Sequence, residues 1–294
     1  MKKNKFGKTD IYTSILGYGA GQIGDNKEDE NIVGSFLNQI VDLGINFIDT
    51  AKGYGLSEER IGRHLSYRRN DFVLSTKVGY GIEGYQDWTY ECVYEGINQA
   101  LKTMKTDYID IVHLHSCPQN TLEKGEVIEA LLKSKSEGKV RAIAYSGENE
   151  ALTYAINTNL FDSIQCSINI ADQRVISNQL KDCIKKDLGV IAKRPLANSP
   201  WRFKTQPYGD YCEIYWQRLK EMNLDIKSDE DWKEIALRFT AFTEGISSCI
   251  VGSTNLNHIK DNIKTVENGK LEDALYNYIR DSFYKNDNNW IGQI

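Results

Sequence analysis

Apolar and polar positions alternate along this chain in two recurring periods. Short apolar runs appear as SILGYG, NFIDT, FVLSTK, YIDIVHLH, VRAIAYS, SIQCS, GVIAK and SCIVGS. Between them lie stretches with helical spacing, near 28–43, 57–66, 90–104, 124–137, 149–158, 176–187, 228–243 and 256–266. The first kind reads as buried strands and the second as amphipathic helices. Gly44, Gly138, Gly189 and Gly245 stand where these helices stop, the expected place for a left-handed cap residue. Ser57 is the expected cap of the helix over 57–66. Strands alternating with helices predict a parallel sheet covered by helices. Eight such units over about 250 residues predict a closed (β/α)8 TIM barrel. A doubly wound open sheet is the rival. Its fingerprint is missing, because GYGAG is G-x-G-x-G and no helix opens directly behind it.

Three segments fall outside the repeat. KFGKTDIYTS predicts a short N-terminal hairpin that plugs the barrel bottom. The stretch 197–215 is too long for a simple turn and reads as a functional loop. From Ser282 to Ile294 no core pattern is visible, and this tail is expected to cross the barrel mouth. No Pro-, Gly- or Ser-rich linker divides residues 1–294, so one domain is expected.

Composition narrows the function classes. The net charge is −5, with no basic footprint, which argues against a nucleic-acid partner. No apolar run could span a bilayer, and the basic start MKKNKFGKTD lacks the apolar segment of a signal peptide. The six cysteines are scattered without a C-x-x-C pair, as expected of free thiols in a reducing cytoplasm rather than a metal centre.

A barrel of this kind carries its chemistry at the C-terminal ends of the strands. The polar residues there are Asp49, Lys77, His115, Ser146 and Gln165, with Tyr54 in the loop behind Asp49. Tyrosine is a poor acid near neutral pH, because its ordinary pKa is about 10. A lysine ammonium beside it stabilises the phenolate. A carboxylate keeps that lysine charged where it is partly buried. Histidine can donate a hydrogen bond to a substrate oxygen. Together the four could polarise a carbonyl and protonate it, given a hydride from a nicotinamide. Each residue alone has an ordinary reading: Asp49 as a cap, Tyr54 as packing, Lys77 as a solvated charge. His113, two residues before His115, reads as a structural histidine of the barrel interior. The H-x-H pair has no carboxylate cluster beside it, so no metal is expected.

IDTAKGYGLSEERIG resembles the signature of the aldo-keto reductases. VLSTKVG resembles their lysine strand and TDYIDIVHLHS their histidine strand, in the family's order. The resemblance extends from ILGYGA to VGSTNLNHIKDN. It implies a barrel that reduces a small-molecule aldehyde or ketone with a nicotinamide cofactor. By that likeness Tyr54 is the proton donor, Lys77 lowers its pKa, Asp49 pairs with Lys77, and His115 orients the carbonyl. Ser146 and Gln165 are implied to hold the nicotinamide carboxamide. Lys193, Arg194 and Leu196 are implied to line the pyrophosphate channel. Ser253, His258, Asp261 and Asn262 are implied at the adenosine-phosphate site. This chain departs from the family pattern at several positions. Gly147 and Ile164 replace asparagines, and Lys193 stands where a stacking tyrosine is common. Gly252 replaces a lysine, His258 an arginine, and Gly21 a bulky aromatic. NADP(H) is favoured, with NAD(H) open. A cofactor-binding regulatory subunit is the alternative function, and a Schiff-base chemistry at Lys77 a more distant one.

Overall fold

The apolar runs close on themselves. In the computed structural model, which describes residues 1–294 apart from the side chains of Asp229 and Glu230, eight parallel strands form a barrel. A hairpin of β1 (Lys3–Lys5) and β2 (Tyr12–Ser14) precedes it. There follow β3 (Leu16–Gly19), α1 (Glu30–Asp42), β4 (Phe47–Asp49), α2 (Ser57–Leu65), β5 (Val73–Val78) and α3 (Tyr90–Met104). Next come β6 (Ile109–His115), α4 (Gln119–Lys124), α5 (Glu126–Ser136), β7 (Val140–Ser146), α6 (Asn149–Thr158) and β8 (Ser163–Ser167). The chain continues through α7 (Arg174–Asn178), α8 (Leu180–Lys185), β9 (Gly189–Lys193), α9 (Glu213–Met222) and α10 (Asp229–Ala241). It ends with β10 (Ser248–Val251), α11 (Leu256–Glu267) and α12 (Asp273–Asn286). β3 to β10 pair in sequence, and β10 pairs back onto β3. This is the (β/α)8 architecture that the pattern predicts.

The two-residue period of a strand sorts side chains into an inner and an outer column. Ile48, Leu74, Val112, Leu114, Ile143 and Tyr145 point outward into the core shared with the helices. The inner column is apolar at the bottom, where Phe47, Val73, Ile111, Ala142 and Ile191 meet Phe6 and Ile11 from the hairpin. The hairpin is therefore a hydrophobic plug. Two or four residues further along the same columns come Asp49, Ser75, Lys77, His113, His115 and Ser146, all polar. The register brings Asp49 opposite Ser75, Lys77 opposite His113, and His115 opposite Ser146. A polar layer thus lies on an apolar floor, at the end where the βα loops begin.

Several local expectations change. Gly44, Gly138 and Gly245 do take left-handed backbone, but Gly189 opens β9. Asp187 carries the positive φ there, and a side chain at 189 would collide with the Phe6 ring of the plug. Ser57 is the first residue of α2, not its cap. Its hydroxyl accepts from Thr50 Oγ1 at 2.8 Å and donates to the Ala20 carbonyl at 2.8 Å, tying two loops together. The stretch 197–215 runs as a loop to Cys212, after which α9 begins. The C-terminal segment is more ordered than its pattern indicates. α12 extends to Asn286 and buries Ser282 and Phe283. Only the last residues form a tail, held by Arg174 to the Trp290 carbonyl (2.6 Å) and Arg218 to the Ile291 carbonyl (2.6 Å). Asn149 adds a hydrogen bond to the Gly292 carbonyl at 3.1 Å. All six cysteines are buried and unpaired. No helix among the described residues is long and apolar enough to cross a membrane.

Candidate active site

A cavity of about 1120 Å³ opens over the polar layer. Asp49, Tyr54, Lys77, His115, Ser146, Gln165, Lys193, Arg194, Leu196, Ser253, His258 and Asn262 all line it. Asp261 does not; it is half-exposed on α11 and faces Lys233 at 3.8 Å.

Tyr54 reaches the cavity because its loop is clamped. Thr50 N donates to Ser75 O at 2.8 Å, and Leu56 N donates to Gly24 O at 3.1 Å. Gly24 and Gly55 touch backbone to backbone across this contact, with Gly55 at φ +52°, so a side chain at either position would force the loops apart.

The centre of the site is a buried ion pair. Lys77 Nζ lies 2.6 Å from Asp49 Oδ2 and donates to the Thr50 carbonyl at 2.7 Å. Ser75 Oγ donates to the other carboxylate oxygen at 2.8 Å. Both charged side chains are about 2% exposed. Burial opposes the lysine charge, but Asp49 and the neighbouring Tyr54 phenol outweigh it and hold the Lys77 pKa above its ordinary value. The Lys77 ammonium sits 4.8 Å from the centre of the Tyr54 ring. Tyr54 in turn meets His115 edge to face, with centroids 5.8 Å apart.

Both barrel histidines are neutral near pH 7. Burial first, then the Lys77 charge, pushes His115 down to about 3 and His113 well below the usual range. His113 Nε2 lies 3.1 Å from Ser75 Oγ, so it buttresses the hydroxyl that holds Asp49. An unfolded histidine takes a proton near pH 6.5. Between that pH and about 3 the unfolded chain binds a proton that folded His115 refuses, so stability falls on acidification. His115→Gln is expected to lose less stability than the wild type between about pH 7 and pH 5. Urea midpoints at the two pH values measure it, and equal losses would contradict the buried neutral imidazole.

The cavity walls carry groups suited to a large anionic ligand. Lys193, Arg194, Arg202 and Lys233 line it, in a chain of net charge −5. Lys193 lies 3.1 Å from Glu148 Oε1, whose same oxygen accepts from Ser167 N at 2.8 Å. Arg194 donates to Ser167 Oγ at 2.8 Å, and also to the Gln293 carbonyl and the Tyr211 hydroxyl. Ser146 Oγ donates to Gln165 Oε1 at 2.9 Å, which leaves Gln165 Nε2 buried with no partner. Asn262 Oδ1 is likewise buried and unpartnered. Two orphaned polar groups in the wall of one cavity call for ligand atoms. Ser253 Oγ lies 3.2 Å from His258 Nδ1 and accepts from Asn255 N at 3.0 Å. The described residues contain no group of three His, Cys, Asp or Glu placed to hold a metal.

Sequence reasoning missed several lining residues: Gln22, Ser116, Asn198, Ser199, Arg202, Asp210, Tyr211 and Ile294. With Gly21 in place of a bulky aromatic, the sequence offers Trp88, Trp201 and Trp290 as candidates to line the pocket; Trp201 does line the cavity, whereas Trp88 packs on Tyr80 and Trp290 on Phe283. Tyr80 itself was missed, and its hydroxyl is 2.8 Å from His115 Nδ1. The only signal was a tyrosine three positions after Lys77, one of 17 in the chain.

The sequence model described as the Aldo/keto reductase family matches residues 15–283. The chain is 28% identical to the uncharacterized oxidoreductase YqkF of Bacillus subtilis (strain 168), over 97% of this chain and 99% of that one. It is 28% identical to L-galactose dehydrogenase of Arabidopsis thaliana, over 88% of this chain and 86% of the relative. The structure is similar to that of aldo-keto reductase AKR11C1 from Bacillus halodurans in its holo form. The TM-score is 0.84 at 27% identity, and 96% of each chain is covered.

Proposed function

Because the chain belongs to the aldo/keto reductase family, we propose that it reduces an aldehyde or ketone to an alcohol, with NADP(H) ahead of NAD(H) as cofactor. The observation that carries this reading is the buried Asp49–Lys77 pair beside the Tyr54 phenol, with a neutral His115 across from it.

The residues present fit a nicotinamide dinucleotide. The orphaned Gln165 amide, with Ser146 fixing its orientation, is the proposed holder of the carboxamide. Lys193, Arg194 and Leu196 are the proposed pyrophosphate wall. Ser253, His258 and the orphaned Asn262 are proposed to hold the adenosine end, with Asp261 positioning Lys233 there. Such a cofactor, when bound, supplies the hydride that no side chain can.

The chain's own part is proton handling and charge placement. Asp49 keeps Lys77 charged in a site that would otherwise neutralise it. The ammonium stabilises a phenolate at Tyr54, which makes Tyr54 Oη a usable acid near pH 7. A neutral imidazole at His115 donates one hydrogen bond to the carbonyl oxygen and polarises it. As that oxygen gains negative charge it takes the proton from Tyr54 Oη, and the alcohol leaves.

Lys233, the lining cation placed at the adenosine end, supports a phosphate there and hence NADP(H). A paired screen with NADPH and NADH across carbonyl classes tests the proposal. The relative that acts on L-galactose is the reason to include sugar aldehydes. Turnover is expected with at least one class and faster with NADPH. A clear NADH preference would overturn the cofactor choice. Tight cofactor binding with no turnover on any class would favour the regulatory-subunit alternative.

A further inference from the structure

The Tyr80–His115 contact has chemical content that the proposed mechanism does not yet use. A neutral imidazole carries one N–H, and the partner of its other nitrogen decides which nitrogen that is. Among the described residues, His115 Nδ1 has one hydrogen-bond partner, the Tyr80 hydroxyl at 2.8 Å, and Nε2 has none. Among the described residues the Tyr80 hydroxyl has no other partner. The two rings also stack, with centroids 5.5 Å apart and planes at 25°, so the imidazole cannot swing without breaking that contact.

Tyr80 is itself held in place. The Trp88 ring packs against it at 5.7 Å, and Trp88 N donates to Gly79 O at 2.7 Å. On the other side Gly53 leaves room for the phenol: a Cβ there would lie 3.1 Å from the Tyr80 oxygen. Burial, with the Tyr54 phenol alongside, pushes the Tyr80 pKa up, so its O–H stays intact near pH 7. An intact phenol is able to donate to the ring nitrogen in reach.

We infer that Tyr80 is a positioning residue that donates its O–H to His115 Nδ1 and so fixes the imidazole with its hydrogen on Nε2. That nitrogen is then a donor with no protein partner, available to a ligand oxygen in the cavity. The opposite tautomer would offer a carbonyl oxygen only a lone pair. The kinetic consequence rests on the carbonyl-reduction reading; the tautomer does not.

The test is Tyr80→Phe, which keeps the stacked ring and removes the hydroxyl. Nitrogen-15 NMR of the histidines, in the intact chain with NADPH added, reads the tautomer directly, with the signal assigned by its loss in His115→Gln. The wild type is expected to show hydrogen on Nε2, and Tyr80→Phe a mixture of both forms. In turnover, Tyr80→Phe is expected to lower kcat in proportion to the Nε2–H population lost, about 2- to 5-fold, with the cofactor Kd unchanged. In a His115→Gln background the same change should cost nothing further. A wild-type signal with hydrogen on Nδ1, or a Tyr80→Phe variant with wild-type tautomer and kcat, overturns the inference. If the wild type reduces no carbonyl at all, the functional reading fails and the spectrum alone decides the role of Tyr80.

Discussion

Tyr54→Phe is expected to bind NADPH as the wild type does and to lose carbonyl reduction by about 10²–10⁴-fold, the usual worth of a positioned acid. The substitution is nearly isosteric. The ring keeps its place 4.8 Å from the Lys77 ammonium and edge-on to His115, and the loop clamp at Gly24 and Gly55 is untouched. Only the hydroxyl, and with it the transferable proton, is removed. Fluorescence titration gives the cofactor Kd, and the absorbance of NADPH gives turnover on a good substrate from the screen. Unchanged turnover would take Tyr54 out of the chemistry.

The second large effect concerns the ion pair, and it separates stability from activity. Lys77→Met leaves Asp49 about 2% exposed with its countercharge gone and only Ser75 and its neighbours to satisfy it. Breaking a buried pair in this way costs about 3–5 kcal/mol, chiefly the penalty of an uncompensated charge. The single variant is therefore expected to be both inactive and strongly destabilised. The double variant Asp49→Asn/Lys77→Met removes both charges. It should recover most of the stability, because desolvation of the pair had offset much of its attraction. Activity should stay lost, because no ammonium remains beside Tyr54. Urea unfolding of the three proteins measures this. Equal stability for the wild type and Lys77→Met would mean that the pair is not the buried unit described here. The sign of the pH dependence is also set. A lysine pKa held above its unfolded value contributes stability at every pH below the unfolded value of about 10.4. That contribution is lost only as pH rises through the folded pKa, so the lysine adds no slope around neutral pH.

Much of this was legible in the residue order. Alternation of strand and helix patterns specified the barrel, because each parallel strand needs a covering helix and eight of them close a ring. The two-residue period then assigned Lys77 to the inner column above Val73, and His115 to that above Ile111. The signature around Asp49 and Tyr54 is local, so a linear reading can see it. Boundaries were harder. Ser57 looks like a cap because serine precedes two glutamates, yet its hydroxyl is taken by contacts to Thr50 and Ala20 that only the fold supplies. The tail after Ser282 looks patternless because its helix buries few residues.

By itself the sequence determined which chemistry-bearing residues share the barrel's inner face, since backbone periodicity dictates facing. The tertiary structure alone decided what each one touches there. Tyr80 and His115 are 35 residues apart, and the hydroxyl and ring nitrogen meet because the loop after β5 passes over the end of β6. Arg194 meets Gln293 across 99 residues because the C-terminal tail reaches the loop after β9. Such contacts depend on loop paths and on the twist of the closed sheet, which no local period encodes.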